Sequence, residues 1–274
     1  MDSINIGFIG AGNMANSLIR GLLARGMDSA SIQAADIDND KLQQLAADCK
    51  ITTASNQQIA DCADVIVLAV KPQAIESVCT GLHLPDSEQG PLIVSIAAGI
   101  TLGHLQAWLG EQHAMVRCMP NTPALIGKGV SGLFGNANIT ESQKQLATQL
   151  MDSVGISVWV DNESDIDAVT AVSGSGPAYF FLFMEALQDA AQELGLSKEI
   201  AKTLVYQTAT GAAELAIHSE DDICELRQKV TSPGGTTEQA LNQFEEEGLR
   251  ETVKRALASA RARSIELANE FGKN

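Results

Sequence analysis

The chain has 274 residues, with 18 Lys and Arg against 34 Asp and Glu, a formal charge of −16. That length allows two domains, and that sign repels phosphate backbones and anionic lipid, which argues against nucleic acid or a membrane surface as partner. Cys49, Cys62, Cys79, Cys118 and Cys224 are odd in number and never form a C-x-x-C pair, and the four histidines show no ligand spacing; free thiols in a reducing compartment and no metal site are expected.

In chain order, Ile4–Ile9, Ile32–Asp36, Val65–Val70, Leu92–Ile96 and Met115–Cys118 are short apolar runs bounded by polar or turn residues. Between them, stretches such as Ala15–Arg25 and Lys41–Ala47 carry apolar residues at helical spacing. This alternation predicts a parallel sheet with helices on both faces. Val130–Phe134 and Ser157–Val160 read as further strands toward an edge of that sheet. After Asp161 strand-like runs stop, and Ile166–Phe271 is rich in Ala, Leu, Glu and Gln, broken at Gly174–Pro177, Gly195–Ser197, His218–Asp222 and Ser232–Gly235. The expected organisation is an α/β domain over residues 1–161 and an all-helical domain over 162–274. Ala178–Ala191 is apolar around much of its circumference, so the helical half is expected to bury itself against a second subunit; a compact monomeric bundle is the competing reading. No apolar stretch approaches the roughly 20 residues that cross a bilayer, and no basic segment precedes the first apolar run as in a signal peptide. A soluble, cytoplasmic protein is expected.

Gly10-Ala11-Gly12-Asn13-Met14-Ala15 follows the first apolar run and opens a helix. Alone, G-x-G-x-x-A is a weak pattern; between a strand and a helix it reads as a dinucleotide-binding turn of Rossmann type. Gly10 makes the tight turn, Gly12 lets a diphosphate approach the backbone, and Ala15 keeps helix and strand close, with the diphosphate on the helix N-terminus. Asp36 ends the second strand, where an acid takes the ribose hydroxyls of NAD and repels the 2′-phosphate of NADP; Lys41 is the nearest cation. The residues lean toward NADH or dual use, against a helix-capping role for Asp36. Ala69-Val70-Lys71-Pro72 and Ala97-Ala98-Gly99 close later strands on the rim where ligands bind in such sheets, which places Lys71 on the cofactor side rather than as a plain surface lysine.

Val230 to Thr237 reads Val-Thr-Ser-Pro-Gly-Gly-Thr-Thr and opens a new helix. Gly234 and Gly235 leave backbone N–H groups uncovered, and the helix start adds unpaired donors, so the segment suits a small anion such as a carboxylate. The alternative is a helix N-terminus capped by Ser232 or Thr236. Ser173-Gly174-Ser175-Gly176-Pro177 reads either as a pocket wall, with Ser175 and Gly176 facing substrate, or as a glycine-hinged break between close-packed helices. Met119-Pro120-Asn121-Thr122-Pro123 reads as a rigid connection.

Taken together, Gly7–Met14, Ala69–Pro72, Ser95–Gly99, Met119–Pro123, Ser173–Tyr179 and Ser232–Thr237 closely resemble the pyrroline-5-carboxylate reductase family, over nearly the whole chain. The resemblance implies a Rossmann-like N-terminal domain and an all-α dimerisation domain, with dimers assembling into larger rings, typically of five dimers. It implies NADPH or NADH as coenzyme, bound by Gly10 to Met14, the end of the second strand, Asn56, Ala69 to Pro72 and Ala97 to Gly99. Many family members carry a small hydroxyl or an arginine where this chain has Asp36, which leaves the preference between coenzymes open. The resemblance assigns Glu220 and Ser232 to Thr237 to the substrate, 1-pyrroline-5-carboxylate, although Glu220 also reads as solvated loop charge. It implies hydride transfer to the imine carbon to give L-proline, with the Thr237 hydroxyl bonded to the ring nitrogen. Two other classes compete. β-Hydroxyacid dehydrogenases need a helical Lys with an Asn four positions on; Lys202 is followed by Tyr206 and Lys198 by Lys202, so the pair is missing. A non-enzymatic NAD(P)-binding scaffold would have no need of the intact Pro233–Thr237 run.

Overall fold

The structure, a computed structural model, describes residues 4–85 and 90–271. The chain begins with β1 (Ile6–Ile9), α1 (Asn13–Ala24), β2 (Ile32–Ala35), α2 (Asn39–Cys49), β3 (Thr52–Thr53), α3 (Asn56–Cys62) and β4 (Val65–Leu68). It continues with α4 (Pro72–Thr80), β5 (Leu92–Ser95), α5 (Leu102–Leu109), β6 (Met115–Met119), β7 (Gly129–Gly135), α6 (Glu141–Asp152) and β8 (Gly155–Trp159). These strands form one sheet in the order β3-β2-β1-β4-β5-β6-β7-β8. It is parallel except where β7 runs antiparallel to β6, and β8 runs parallel to β7 at the edge.

Period-two alternation sends each central strand into both faces. Ile6 and Phe8 of β1 join one core and Ile9 the other; Val65 and Val67 of β4 go one way, Ile66 and Leu68 the other. Helix α1 lays Ala15, Leu18, Ile19 and Leu22 on the sheet at helical spacing. The helices α3, α5 and α6 start on reciprocal capping boxes, Ser55 with Gln58, Thr101 with His104 and Thr140 with Gln143. The expected doubly wound α/β architecture is observed. The two-residue strand β3 was not anticipated, because Thr52–Thr53 carries no apolar alternation to reveal it.

Beyond β8 come α7 (Asp165–Val169), a π-turn (Thr170–Gly174), α8 (Gly176–Glu193), α9 (Lys198–His218), α10 (Ile223–Lys229), α11 (Thr236–Glu246) and α12 (Leu249–Phe271). The chain divides into two compact units, residues 1–175 with 259–274, and residues 176–258. This division differs from a boundary at 161/162, which follows where strands end. Arg117 of β6 explains why α7 and the last turns of α12 belong with the sheet. Its side chain is 5% exposed and pairs with Glu163 at 3.2 Å and Asp167 at 3.3 Å. Asp167 also accepts from the Ser264 hydroxyl at 2.8 Å, and Glu163 accepts from the Leu102 N–H at 2.7 Å. A buried guanidinium needs such partners, and removing one would leave an uncompensated charge.

In the second unit α8 packs on α9, and Phe183 meets Phe244 with ring centroids 6.1 Å apart. Gly176, Ala201 and Val205 are its buried residues, whereas Phe180, Phe181 and Leu182 are 67%, 63% and 66% exposed. A unit of this size with so little interior has not buried its apolar surface within itself.

Candidate active site

The strand order reverses at β1, whose neighbours are β2 and β4, and a cleft of about 450 Å³ opens at the C-terminal ends of these three strands. That is the switch point where ligands bind in open α/β sheets. Of the residues singled out from the sequence, Gly10, Gly12, Asp36, Asn56, Ala69, Val70 and Lys71 line it. Gly10 holds φ at +105°, and an added Cβ would stand 2.6 Å from the Ala69 carbonyl carbon, so the turn closes on β4 only because this residue is glycine. Gly12 is different: its backbone is extended, and an added Cβ would point into open space. What its missing side chain provides is room for a ligand.

Helix α1 starts at this open space with no side-chain cap and no acidic residue in its first turn. Its first N–H groups and positive dipole end are therefore available to an anion, and the fit to a dinucleotide diphosphate is good. Asp36 does not cap a helix; Asp38 caps α2, accepting from the Lys41 N–H. One Asp36 oxygen accepts from the Ala11 N–H at 2.6 Å and the other from the Asp38 N–H at 2.8 Å, so this carboxylate pins the glycine turn to the end of β2 while facing the cleft.

Ala11, Asn13, Met14, Pro72 and Ala97–Gly99 do not line the cleft. Ala11 and Ala97 are buried, and Met14 packs on the core. Gly99 is covered by α12, where an added Cβ would lie 3.1 Å from the Phe271 ring. Ile37, Asp38, Lys41, Ser55, Ala74 and Val78 line the cleft without having been singled out as ligands. The Ser55-x-x-Gln58 capping pattern was the available signal for Ser55, since it fixes where α3 begins beside Asn56.

The second glycine motif forms a turn ahead of α11. Gly234 adopts φ +73°, the Gly235 N–H donates to the Ser232 carbonyl at 2.9 Å, and Gly235 is the N-cap. No side chain caps the helix, so neither Ser232 nor Thr236 takes that role. The Gly234 N–H donates to the Glu238 carboxylate at 2.7 Å: a carboxylate from the chain itself rests on one of these amides. Thr236 and Thr237 are exposed in the first turn, and Glu220 is exposed on the loop between α9 and α10. There the neighbouring Asp221 pairs with Lys229, which holds its carboxyl below the usual carboxylate range. Ser175 and Gly176 fall where the π-turn passes into α8. Among the described residues no group of three or more His, Cys, Asp or Glu side chains is placed to hold a metal ion, and no helix is long and apolar enough to cross a membrane.

A Rossmann-like sheet with an uncapped glycine turn at its switch point, joined to a helical array, defines the class: a nucleotide-binding α/β fold with a helical C-terminal half. Residues 163–267 match the family described as pyrroline-5-carboxylate reductase dimerisation, and residues 5–99 match the family described as NADP oxidoreductase, coenzyme F420-dependent. The chain is 51% identical over 273 residues to a pyrroline-5-carboxylate reductase of Pseudomonas aeruginosa, covering 99% of this chain and 100% of that one. It is similar to the solved structure of a pyrroline-5-carboxylate reductase from Coxiella burnetii, with TM-score 0.92 and 44% identity over 97% of this chain and 99% of that one. It is also similar to the Plasmodium falciparum pyrroline carboxylate reductase solved with NADP bound, with TM-score 0.84 and 32% identity over 98% and 99% of the two chains. The chain belongs to the pyrroline-5-carboxylate reductase family.

Proposed function

We propose that this chain reduces 1-pyrroline-5-carboxylate to L-proline with NADPH or NADH, the last step of proline biosynthesis. The observation that carries this reading is likeness over the full length to reductases of that name, at 51% identity in the Pseudomonas aeruginosa relative. When bound, the reduced nicotinamide supplies the hydride that adds to the imine carbon. Gly12, Asn13 and Met14 offer backbone N–H groups to the diphosphate at the start of α1, while Gly10 and Ala11, whose N–H groups bond Ala35 and Asp36, shape the turn against it. Asp36 and Asn56 take the ribose side, and Ala69–Pro72 with Ala97–Gly99 complete the coenzyme site.

The amides of Thr236 and Thr237, with that of Gly234 once Glu238 turns away, hold the substrate carboxylate at the turn that Gly235 forms, with Ser232 and Glu220 beside them. Ser175 and Gly176 form a wall against the ring. The Thr237 hydroxyl hydrogen-bonds the ring nitrogen and orients it. An imine that enters protonated needs no strong general acid. Hydride addition converts its C=N bond directly to a secondary amine, and no proton has to be delivered in that step. Two chains pair through residues 162–274, dimers assemble into a larger ring such as a decamer, and the enzyme works in the cytoplasm.

The test is consumption of reduced coenzyme with pyrroline-5-carboxylate, compared with oxidation of 3-hydroxy acids. Stoichiometric formation of proline is the expected result. Turnover of the hydroxy acid alone, or coenzyme binding with no turnover, would refute the reading.

A further inference from the structure

Asn121 stands where the chain leaves β6, and it is 8% exposed. Its side chain bonds in two opposite senses. The Oδ1 atom accepts from the Val130 N–H of β7 at 3.0 Å, and the Nδ2 atom donates to the Ser173 carbonyl at 3.1 Å. Only one orientation of the amide satisfies both.

Ser173 lies in the π-turn between α7 and α8, where the Ser175 N–H donates to the Thr170 carbonyl at 2.8 Å. In an α-helix the Ser173 carbonyl would accept from the residue four positions on. That residue is Pro177, which has no N–H. The Asn121 amide thus supplies a donor that the proline deletes. Met119 packs on the same turn: a Cβ at Gly174 would come within 2.6 Å of its terminal methyl group. Two motifs separated by some fifty residues are interlocked, one lacking a donor and the other providing it. A π-turn is a rare conformation that is frequent at functional sites, and here a long-range bond ties one of its carbonyls to the end of β6.

We propose that Asn121 is a positioning residue for imine reduction. By fixing the Ser173 carbonyl it sets the π-turn, and so the direction in which Ser175 and Gly176 face the imino acid. The inference rests on the substrate reading of Ser175 and Gly176 given above.

Two variants separate its bonds. Asn121→Asp keeps an acceptor for the Val130 N–H but puts a carboxylate against the Ser173 carbonyl; Asn121→Ala removes both bonds. Each is studied well below its melting temperature by NADH binding, by steady-state kinetics with pyrroline-5-carboxylate, and by amide hydrogen exchange. The expected result is an NADH Kd within about twofold of the native value and a kcat/KM lower by on the order of 10- to 100-fold. Exchange of the amides at 170–175 should quicken by about tenfold or more while the central strands stay protected. Should Asn121→Ala fail to fold, Asn121→Asp decides. Unchanged exchange would overturn the link to the π-turn, and unchanged kcat/KM would overturn its role in the reaction. An equal loss of NADH affinity would overturn it too, by revealing general loosening. If the native chain fails to turn over the imine, the functional reading falls, and the exchange measurement still decides whether Asn121 holds the turn.

Discussion

Asp36 and the two glycines of the first turn divide their work in ways that single substitutions separate. The Asp36 carboxylate accepts from the Ala11 N–H as well as facing the cleft, so it shapes the turn besides placing negative charge where the proposed coenzyme's ribose would lie. Asp36→Ser is expected to raise the NADPH-to-NADH ratio of kcat/KM by about tenfold, ~1.4 kcal/mol, by removing like-charge repulsion. Loss of the Ala11 bond should raise KM for both coenzymes as well. Steady-state kinetics with each coenzyme checks this, and an unchanged ratio would mean that the carboxylate serves the turn alone. Gly10 and Gly12 look alike in the motif but differ in what surrounds them. Gly10→Ala forces a side chain into positive φ and against the Ala69 backbone, and should cost about 2–4 kcal/mol in denaturant unfolding. Gly12→Ala meets nothing in the protein, so melting should shift by no more than about 2 °C while coenzyme affinity falls by about tenfold or more.

Among the elements, those legible in the sequence are the ones whose signal is local. The glycine turn follows from strand, glycines and helix in succession, and β4 and the first three residues of β5 are continuously apolar because both faces of the sheet are covered. The strand β3 escaped because two threonines have no pattern. The π-turn escaped for a different reason: Asn121 fixes it from a distant part of the chain, and no local periodicity encodes that bond. Likewise the cover that α12 lays over Gly99 is a packing decision made more than 150 residues later, which the residues around Gly99 do not encode. At the same scale, α4 and β6 bury thiols. Desolvation pushes Cys79 from an ordinary 9.0 up to about 12 and raises Cys118 as well. The unfolded chain ionises these thiols near pH 9, whereas the folded chain keeps them neutral. Their contribution is therefore fully present below pH 9 and is lost as pH rises toward 12. Thermal melts should show Tm falling across that window, with a shallower fall in Cys79→Ala; equal slopes would place the alkaline loss elsewhere.

At the scale of the whole molecule, residues 176–258 bury too little to fold as an isolated unit, and the family match over 163–267 is to a dimerisation domain. In the proposed dimer, the exposed apolar residues of α8 are the surface that a second copy would cover. Light scattering should therefore give at least twice the chain mass. Phe181→Glu should reduce the assembly and lower its melting temperature together, because an unpaired charge in such an interface costs several kcal/mol, on the order of 3–5. A native mass in the variant would place the interface on another face. The surface electrostatics matter here as well. With 34 acidic against 18 basic side chains, a small anionic substrate meets a repulsive surface overall, so in the proposed site its carboxylate has to be held locally by the helix start at α11. The most direct measurement is a crystal structure with bound proline. Its carboxylate should rest on the N–H groups between Gly234 and Thr237, with the Glu238 side chain turned away from the Gly234 N–H it now occupies. Proline bound at any other position, with that bond intact, would contradict the account.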